Sequence, residues 1–183
     1  MSQAINTTPT MSTAMPSTVM PSIGAISERI EAAVDTATRT GSFPATIQES
    51  IGGVQVGCDL LAAETIACAF ERFEVVNERW RSAPLAQMKK IAEKLAGRLT
   101  YLLEPIRTIE TDADTCTIQM RSMPPRQADD GSRTYYELQV SGGGKLSLCR
   151  YAKQPDQTRR TVPVQITREV FRQLTTDFVE AAV

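Results

Sequence analysis

The most informative feature of this sequence is an absence, because its 183 residues include no histidine. Histidine is the usual general base near neutral pH, the residue that orients serine and cysteine nucleophiles, and the commonest ligand of transition metals. Triads that use histidine and histidine-ligated metal sites are therefore excluded. We expect a non-catalytic protein with no catalytic residue, no metal site and no cofactor.

The chain is also poor in cysteine, and its cysteines are scattered. Cys58, Cys68, Cys116 and Cys149 form no C-x-x-C pair, whereas zinc ribbons need paired ligands at short spacing and small secreted scaffolds need dense cysteines. Each of the four lies among apolar neighbours. The sequence therefore predicts buried, reduced thiols in a cytoplasmic protein.

Long apolar runs are absent as well. No stretch approaches the roughly 20 apolar residues of a membrane span, so we expect no membrane partner. Residues 1–22 are rich in Ser, Thr, Pro and Met, and no charge precedes Glu28. Without a basic segment and an apolar run they do not resemble a secretory signal. We predict a disordered tail over residues 1–24 and a single domain over 25–183.

Charge is unevenly placed although the net charge is only −1. Carboxylates outnumber basic residues before Pro84, and basic residues outnumber carboxylates after it. This difference is too small to predict a nucleic-acid-binding domain. It predicts that the acidic part lies against the basic part, within one chain or across a dimer.

Three segments show the apolar spacing of an amphipathic helix: 25–39, 84–104 and 167–181. The second is the best delimited, because Pro84 stands in its first turn and Pro105 ends it. Its apolar stripe over 85–102 either packs on a sheet or forms a coiled-coil-like seam with another copy. Thr167 is placed to cap the third helix.

Residues 60–80 are harder to assign. Ile66, Phe70, Phe73, Val76 and Trp80 recur at intervals of three and four, which predicts a helix. The alternative is a strand across 54–61, since Val54 and Val56 alternate between glycines and Cys68 and Phe70 alternate with small residues. We take the helix as the prediction and keep the strand open.

After Pro105 the apolar period changes from 3.6 to 2. Residues 106–111, 116–123, 133–140, 145–152 and 161–166 all read as strands. The last contains Pro163, which cannot donate to a central ladder and so predicts an edge strand or a bulge. The predicted fold is α+β, with an antiparallel sheet of four to five strands over 106–166 packed on one face by helices 60–80, 84–104 and 167–181.

The stretch GGGKLS beginning at Gly142 raises the question of phosphate binding. A P-loop needs an earlier glycine where Gln139 stands, Ser or Thr where Leu146 stands, and a helix afterwards. The sequence that follows alternates instead. A three-residue loop would set Val140 opposite Leu146 on one face and Tyr135 opposite Tyr151 on the other. We predict a hairpin turn.

This register predicts a sheet with one apolar face beneath the helices and one polar face. The polar face and its connections carry the candidate interaction surface, which consists of Arg121, Tyr135, Gln139, Ser147, Tyr151, Arg159 and Arg160. Arginines and tyrosines on a sheet can also bind nucleic acid. Aromatic residues make up only 5% of the chain, and carboxylates dilute the positive charge. A solvated face or a protein interface is the better interpretation.

The order helix, antiparallel strands, helix over roughly residues 84–183 is similar to that of bacterial type III secretion chaperones. The resemblance is one of element order and transfers no individual residues. It implies an adaptor or chaperone-like domain, and we expect a domain that binds another protein or a second copy of itself. The alternatives are a nucleic-acid-binding module and a small-molecule-binding domain or histidine-free enzyme.

Overall fold

The structure, a computed structural model, describes residues 23–183. Three helices, α1 (Ile23–Thr40), α2 (Leu85–Arg98) and α3 (Arg168–Ala182), accompany ten strands in one antiparallel sheet. The strands are β1 (Ala45–Ile51), β2 (Val54–Ala63), β3 (Ala67–Asn77), β4 (Ile106–Asp112), β5 (Thr117–Ser122), β6 (Arg126–Gln127), β7 (Arg133–Ser141), β8 (Lys145–Lys153), β9 (Arg160–Val162) and β10 (Val164–Thr167). The α+β class is confirmed. The predicted tail lies outside the described residues, except that positions 23 and 24 already belong to α1.

The sheet is about twice as large as predicted. Its main order is β1-β2-β3-β8-β7-β5-β4, and the short strands β6, β9 and β10 pair with β7, β8 and β3. The pairing of β3 with β8 joins the strands that precede α2 to those that follow it. The described chain therefore builds one continuous layer rather than a helical half and a sheet half.

The helix predicted over 60–80 is wrong, and the alternative strand at 54–61 is correct, since it lies within β2. The error has a structural cause. Cys58 pairs with Phe73 while Leu60 pairs with Phe70, so β3 contains one more residue than β2 between these pairs. This β-bulge points Phe70 and Phe73 into the same core although they are three residues apart. The spacing imitates a helical period.

All three helices cover one face of the sheet. α1 packs on β1 and β2, α3 on β3, and α2 on β4, β5 and β7. Phe73 makes edge-to-face contacts with Phe171 and Phe178 of α3 at centroid distances of 5.8 and 5.2 Å. The apolar stripe of α2, including Met88 and Leu95, is buried. This stripe therefore packs within the domain, and the seam with another copy is wrong.

The helices at 25–39, 84–104 and 167–181 are otherwise confirmed, with small differences at their ends. α2 ends at Arg98, and a 3-10 turn at Leu99–Leu102 completes the predicted segment. Thr167 caps α3 by accepting a hydrogen bond from the Val170 N–H. The predicted contact between acidic and basic parts occurs within the chain, because Arg168 of α3 binds Glu31 and Asp35 of α1.

The hairpin between β7 and β8 has the predicted register. Ser141 pairs with Lys145, Val140 with Leu146 and Tyr135 with Tyr151. A side chain at Gly144, whose φ is +78°, would overlap the carbonyl oxygen of Asn77. The tri-glycine stretch therefore turns the chain and docks it closely against the end of β3.

The strand that contains Pro163 is divided at this residue, and each half is paired on one side only among the described strands, which agrees with the predicted edge position. β9 pairs only with β8, and β10 only with β3, among the described strands. β3 and β8 pair with each other over part of their length and then diverge, and residues 160–167 lie between the diverging ends. Pro163 stands at the crossing, where no ladder hydrogen bond is required.

Candidate functional site

The sheet face opposite the helices, called the outer face below, carries most of the predicted surface. Cross-strand partners share a face, so the pairs Gln139 with Ser147 and Tyr135 with Tyr151 lie on it together. Arg121 lies beside them as the partner of Glu137. Cys149 and Arg72 continue the row across β8 and β3.

An arginine–tyrosine cluster forms the centre of this face. The rings of Tyr135 and Tyr151 stack with centroids 5.9 Å apart. Arg121 lies 4.9 Å from the Tyr135 centroid and Arg159 lies 4.3 Å from that of Tyr151. Glu137, only 8% exposed, accepts from both guanidinium groups at 2.8 and 2.5 Å. The two cations are therefore held by one carboxylate and two aromatic rings.

Arg160 is not part of this cluster. It pairs with Ala152, which faces the helices, so Arg160 lies on the opposite side of the sheet from Tyr151. The structure thus brings together Arg121, Tyr135, Tyr151 and Arg159, leaves Gln139 and Ser147 one row away, and places the last predicted residue elsewhere.

Cys149 lies next to the cluster between Glu137 and Arg72. Burial raises the pKa of its thiol, and a hydrogen bond with Arg72 acts in the opposite direction. Burial also raises the pKa of Tyr151. These groups are neutral near pH 7, so they add no charge to the face.

A second feature, which the sequence analysis missed, lies on the helix side. The residues of β7 and β8 that face the helix side include the pair Leu138 and Leu148. The next pair on this side is Tyr136 and Arg150. The helix layer ends at this point, and a cleft of about 580 Å³ opens there. Its walls come from the 3-10 turn and the chain after it, from residues 124–126, and from β10 and the start of α3.

Arg150 anchors the polar side of the cleft. It donates to the Tyr136 hydroxyl at 3.0 Å, to Glu104 at 3.1 Å and to Thr134 at 3.2 Å. Its guanidinium lies 4.6 Å from the Tyr136 ring centroid. Burial raises the pKa of Tyr136, while the Arg150 charge lowers it. Hydrogen bonds to three groups hold this wall in one arrangement.

The mouth of the cleft is apolar. Leu103 is 89% exposed and has a φ of +60°, and Met123 is 44% exposed. Met123 N–H donates to the Pro105 carbonyl at 2.8 Å, which holds the two sides together. Pro105, Pro124 and Pro125 also line the cleft. Large apolar side chains exposed beside a concave site are typical of binding sites.

The mouth also carries a charge without a counter-charge. Arg126 lines the cleft and lowers the pKa of Tyr136 by its proximity. No carboxylate of residues 23–183 forms an ion pair with it, whereas Arg150 is paired with Glu104. The charged side chains lining the cleft therefore sum to about +1.

Lys145 and the aspartates of two turns lie away from the cleft. Lys145 pairs with Glu74 at 2.5 Å on the outer face. Asp112 accepts hydrogen bonds from the Thr115 hydroxyl and from the N–H groups of Thr115 and Asp114, which lower the pKa of its carboxyl. Asp130 accepts a hydrogen bond from the Ser132 N–H, and hydrogen bonding with Ser132 lowers its pKa as well. They act as turn residues.

Residues 23–183 contain no group of three or more His, Cys, Asp or Glu side chains that could hold a metal ion, and no helix long and apolar enough to span a membrane. Comparison with family models, with curated proteins and with solved structures gives no match. The adaptor or chaperone-like role that the similarity in element order to type III secretion chaperones implies therefore stays a prediction.

Proposed function

We propose that this domain is a non-catalytic adaptor or chaperone-like module that binds another protein, and that the cleft receives a segment of that partner. One observation carries the proposal. Leu103 lies at the mouth of a concave site with its side chain exposed to water. Its backbone adopts a left-handed conformation that leucine normally avoids. An exposed leucine in this conformation weakens the folded state unless a partner covers it.

The partner segment follows from the lining of the cleft. Leu103 and the three prolines of the lining favour apolar side chains, and the exposed Met123 precedes one of these prolines. Arg126 favours a carboxylate near them, because its charge has no counter-charge among the described residues. The expected occupant is an apolar residue with Asp or Glu close to it in sequence.

The outer face supports a weaker case for binding. Arg121 and Arg159 share Glu137 and stack on tyrosine rings, so a nucleic-acid phosphate would compete with contacts already made. This arrangement favours a protein-binding domain over a nucleic-acid-binding module. We also propose a cytoplasmic location, because all four cysteines are free and two are buried in the core.

A displayed library of random peptides, selected on the full chain, tests the proposal. The expected peptides share a Leu, Ile, Met or Phe close to an Asp or Glu. Leu103→Asp and Arg126→Glu should each lower their affinity about tenfold, measured by fluorescence anisotropy with labelled peptide. Ile109→Asp and Arg107→Glu are the matched controls, since both residues are exposed on β4 and neither lines the cleft.

Two outcomes would contradict the proposal. One is the recovery of no binding peptide. The other is a set of peptides whose affinity falls as much with the β4 controls as with the cleft variants. Binding lost with Arg121→Glu and retained with both cleft variants would instead favour the outer face.

A further inference from the structure

The two ends of the sheet differ in how well their edges are protected. Exposed edge strands offer unpaired N–H and C=O groups to other chains, and proteins block them with bulges, charges or proline. β4 has a register shift between Thr108 and Glu110, and it carries Arg107, Glu110 and Asp112. It is a protected edge.

β1 has neither a bulge nor a proline, and it carries a single charge. Its seven residues, ATIQESI, pair with β2 without a register shift from Ala45 to Ile51. Glu49 is its only charged residue, and this carboxylate is bound by Arg29 of α1 at 2.5 Å. β1 therefore presents a straight edge with no unpaired charge of its own.

The sequence of β1 is complementary to itself in the antiparallel direction. With a two-fold axis at Gln48, Thr46 faces Ser50 of the second copy on the outer side, and Gln48 faces its own equivalent. On the helix side Ala45 faces Ile51 of the second copy, and both are partly exposed in one chain. Ile47 faces Glu49 of the second copy, whose carboxylate is paired with Arg29 of its own chain. No pair sets like charges opposite each other. A closed two-fold contact of this kind stops at two copies.

We propose that two copies of this chain associate through β1, so that their sheets form one continuous antiparallel layer. The second copy is favoured over another partner because this register pairs polar residues on the outer side, pairs Ala45 with Ile51 on the helix side, and sets no like charges opposite each other. The inference does not depend on the proposed function, since no residue of β1 lines the cleft.

Light scattering coupled to size exclusion, at rising concentrations of the full chain, tests this association. The measured mass should rise from one chain towards two. Gln48→Lys places two lysines opposite each other at the axis and should abolish the rise. Gln55→Lys is the matched control, because Gln55 is also an exposed glutamine but lies on the neighbouring strand and not at the edge.

Disulfide trapping is a second test of association through β1. In a Cys116→Ser, Cys149→Ser background, Gln48→Cys should form a disulfide-linked dimer on oxidation, and Gln55→Cys should not. A mass of one chain at every concentration would overturn the proposal. So would a dimer that persists in Gln48→Lys, because association would then use another surface. Peptide binding at the cleft should be the same in both lysine variants.

Discussion

Leu103 combines two features that folded proteins usually avoid, a left-handed backbone on a residue with a Cβ and a large apolar side chain in water. It follows the 3-10 turn Leu99–Leu102, at the position where glycine commonly ends a helix. A glycine here would relieve the backbone strain. The side chain is therefore the feature that needs an explanation, and binding provides one.

Leu103→Gly should raise the free energy of unfolding by about 1 kcal/mol, because it removes the cost of the left-handed conformation. Urea denaturation measures this change. Leu103→Ala is the matched control, since it removes the side chain and keeps the strain, so its stability should stay within about 0.5 kcal/mol of the wild type. Both variants should lose peptide binding. A glycine variant that is less stable than the wild type would contradict this explanation of the residue.

At the scale of elements, the sequence predicted the parts whose local pattern agrees with their packing. The helices at 84–104 and 167–181 have clear boundaries, and the tri-glycine hairpin has only one register that separates polar from apolar faces. The segment 60–80 failed because a bulge in β3 places Phe70 and Phe73 on one face. A single-residue insertion in a strand cannot be distinguished by spacing from a helical turn.

The arginine–tyrosine cluster has an element-scale role, because it ties the chain before β9 to β7. Glu137→Gln should weaken both of its arginine contacts and make the β9 amides exchange about tenfold faster, which corresponds to about 1.4 kcal/mol of local stability. Hydrogen exchange followed by mass spectrometry of peptides covering 153–162 measures this effect. Glu110→Gln, an exposed glutamate on β4, should leave the exchange unchanged. Equal exchange in the two variants would mean that the cluster does not hold β9.

At the scale of the whole molecule, the cleft arises where the helix layer ends before the sheet does. The sheet continues past the helices, and the inward positions of β7 and β8 change there from leucine to Tyr136 and Arg150. This change was visible in the sequence, and so was the proline-rich stretch at 123–125. The proximity of these residues to Leu103 could not be predicted from the sequence, because it depends on how far α2 and α3 extend over the sheet. The outer-face residues could be predicted because a single hairpin register places most of them.

Amide chemical shifts of the isotopically labelled full chain, recorded during titration with a selected peptide, test the central claim most directly. We expect the largest changes at residues 101–105, 123–126 and 165–170, with Gln139 and Ser147 of the outer face little affected. Changes concentrated on the outer face, with the cleft residues unmoved, would contradict the account.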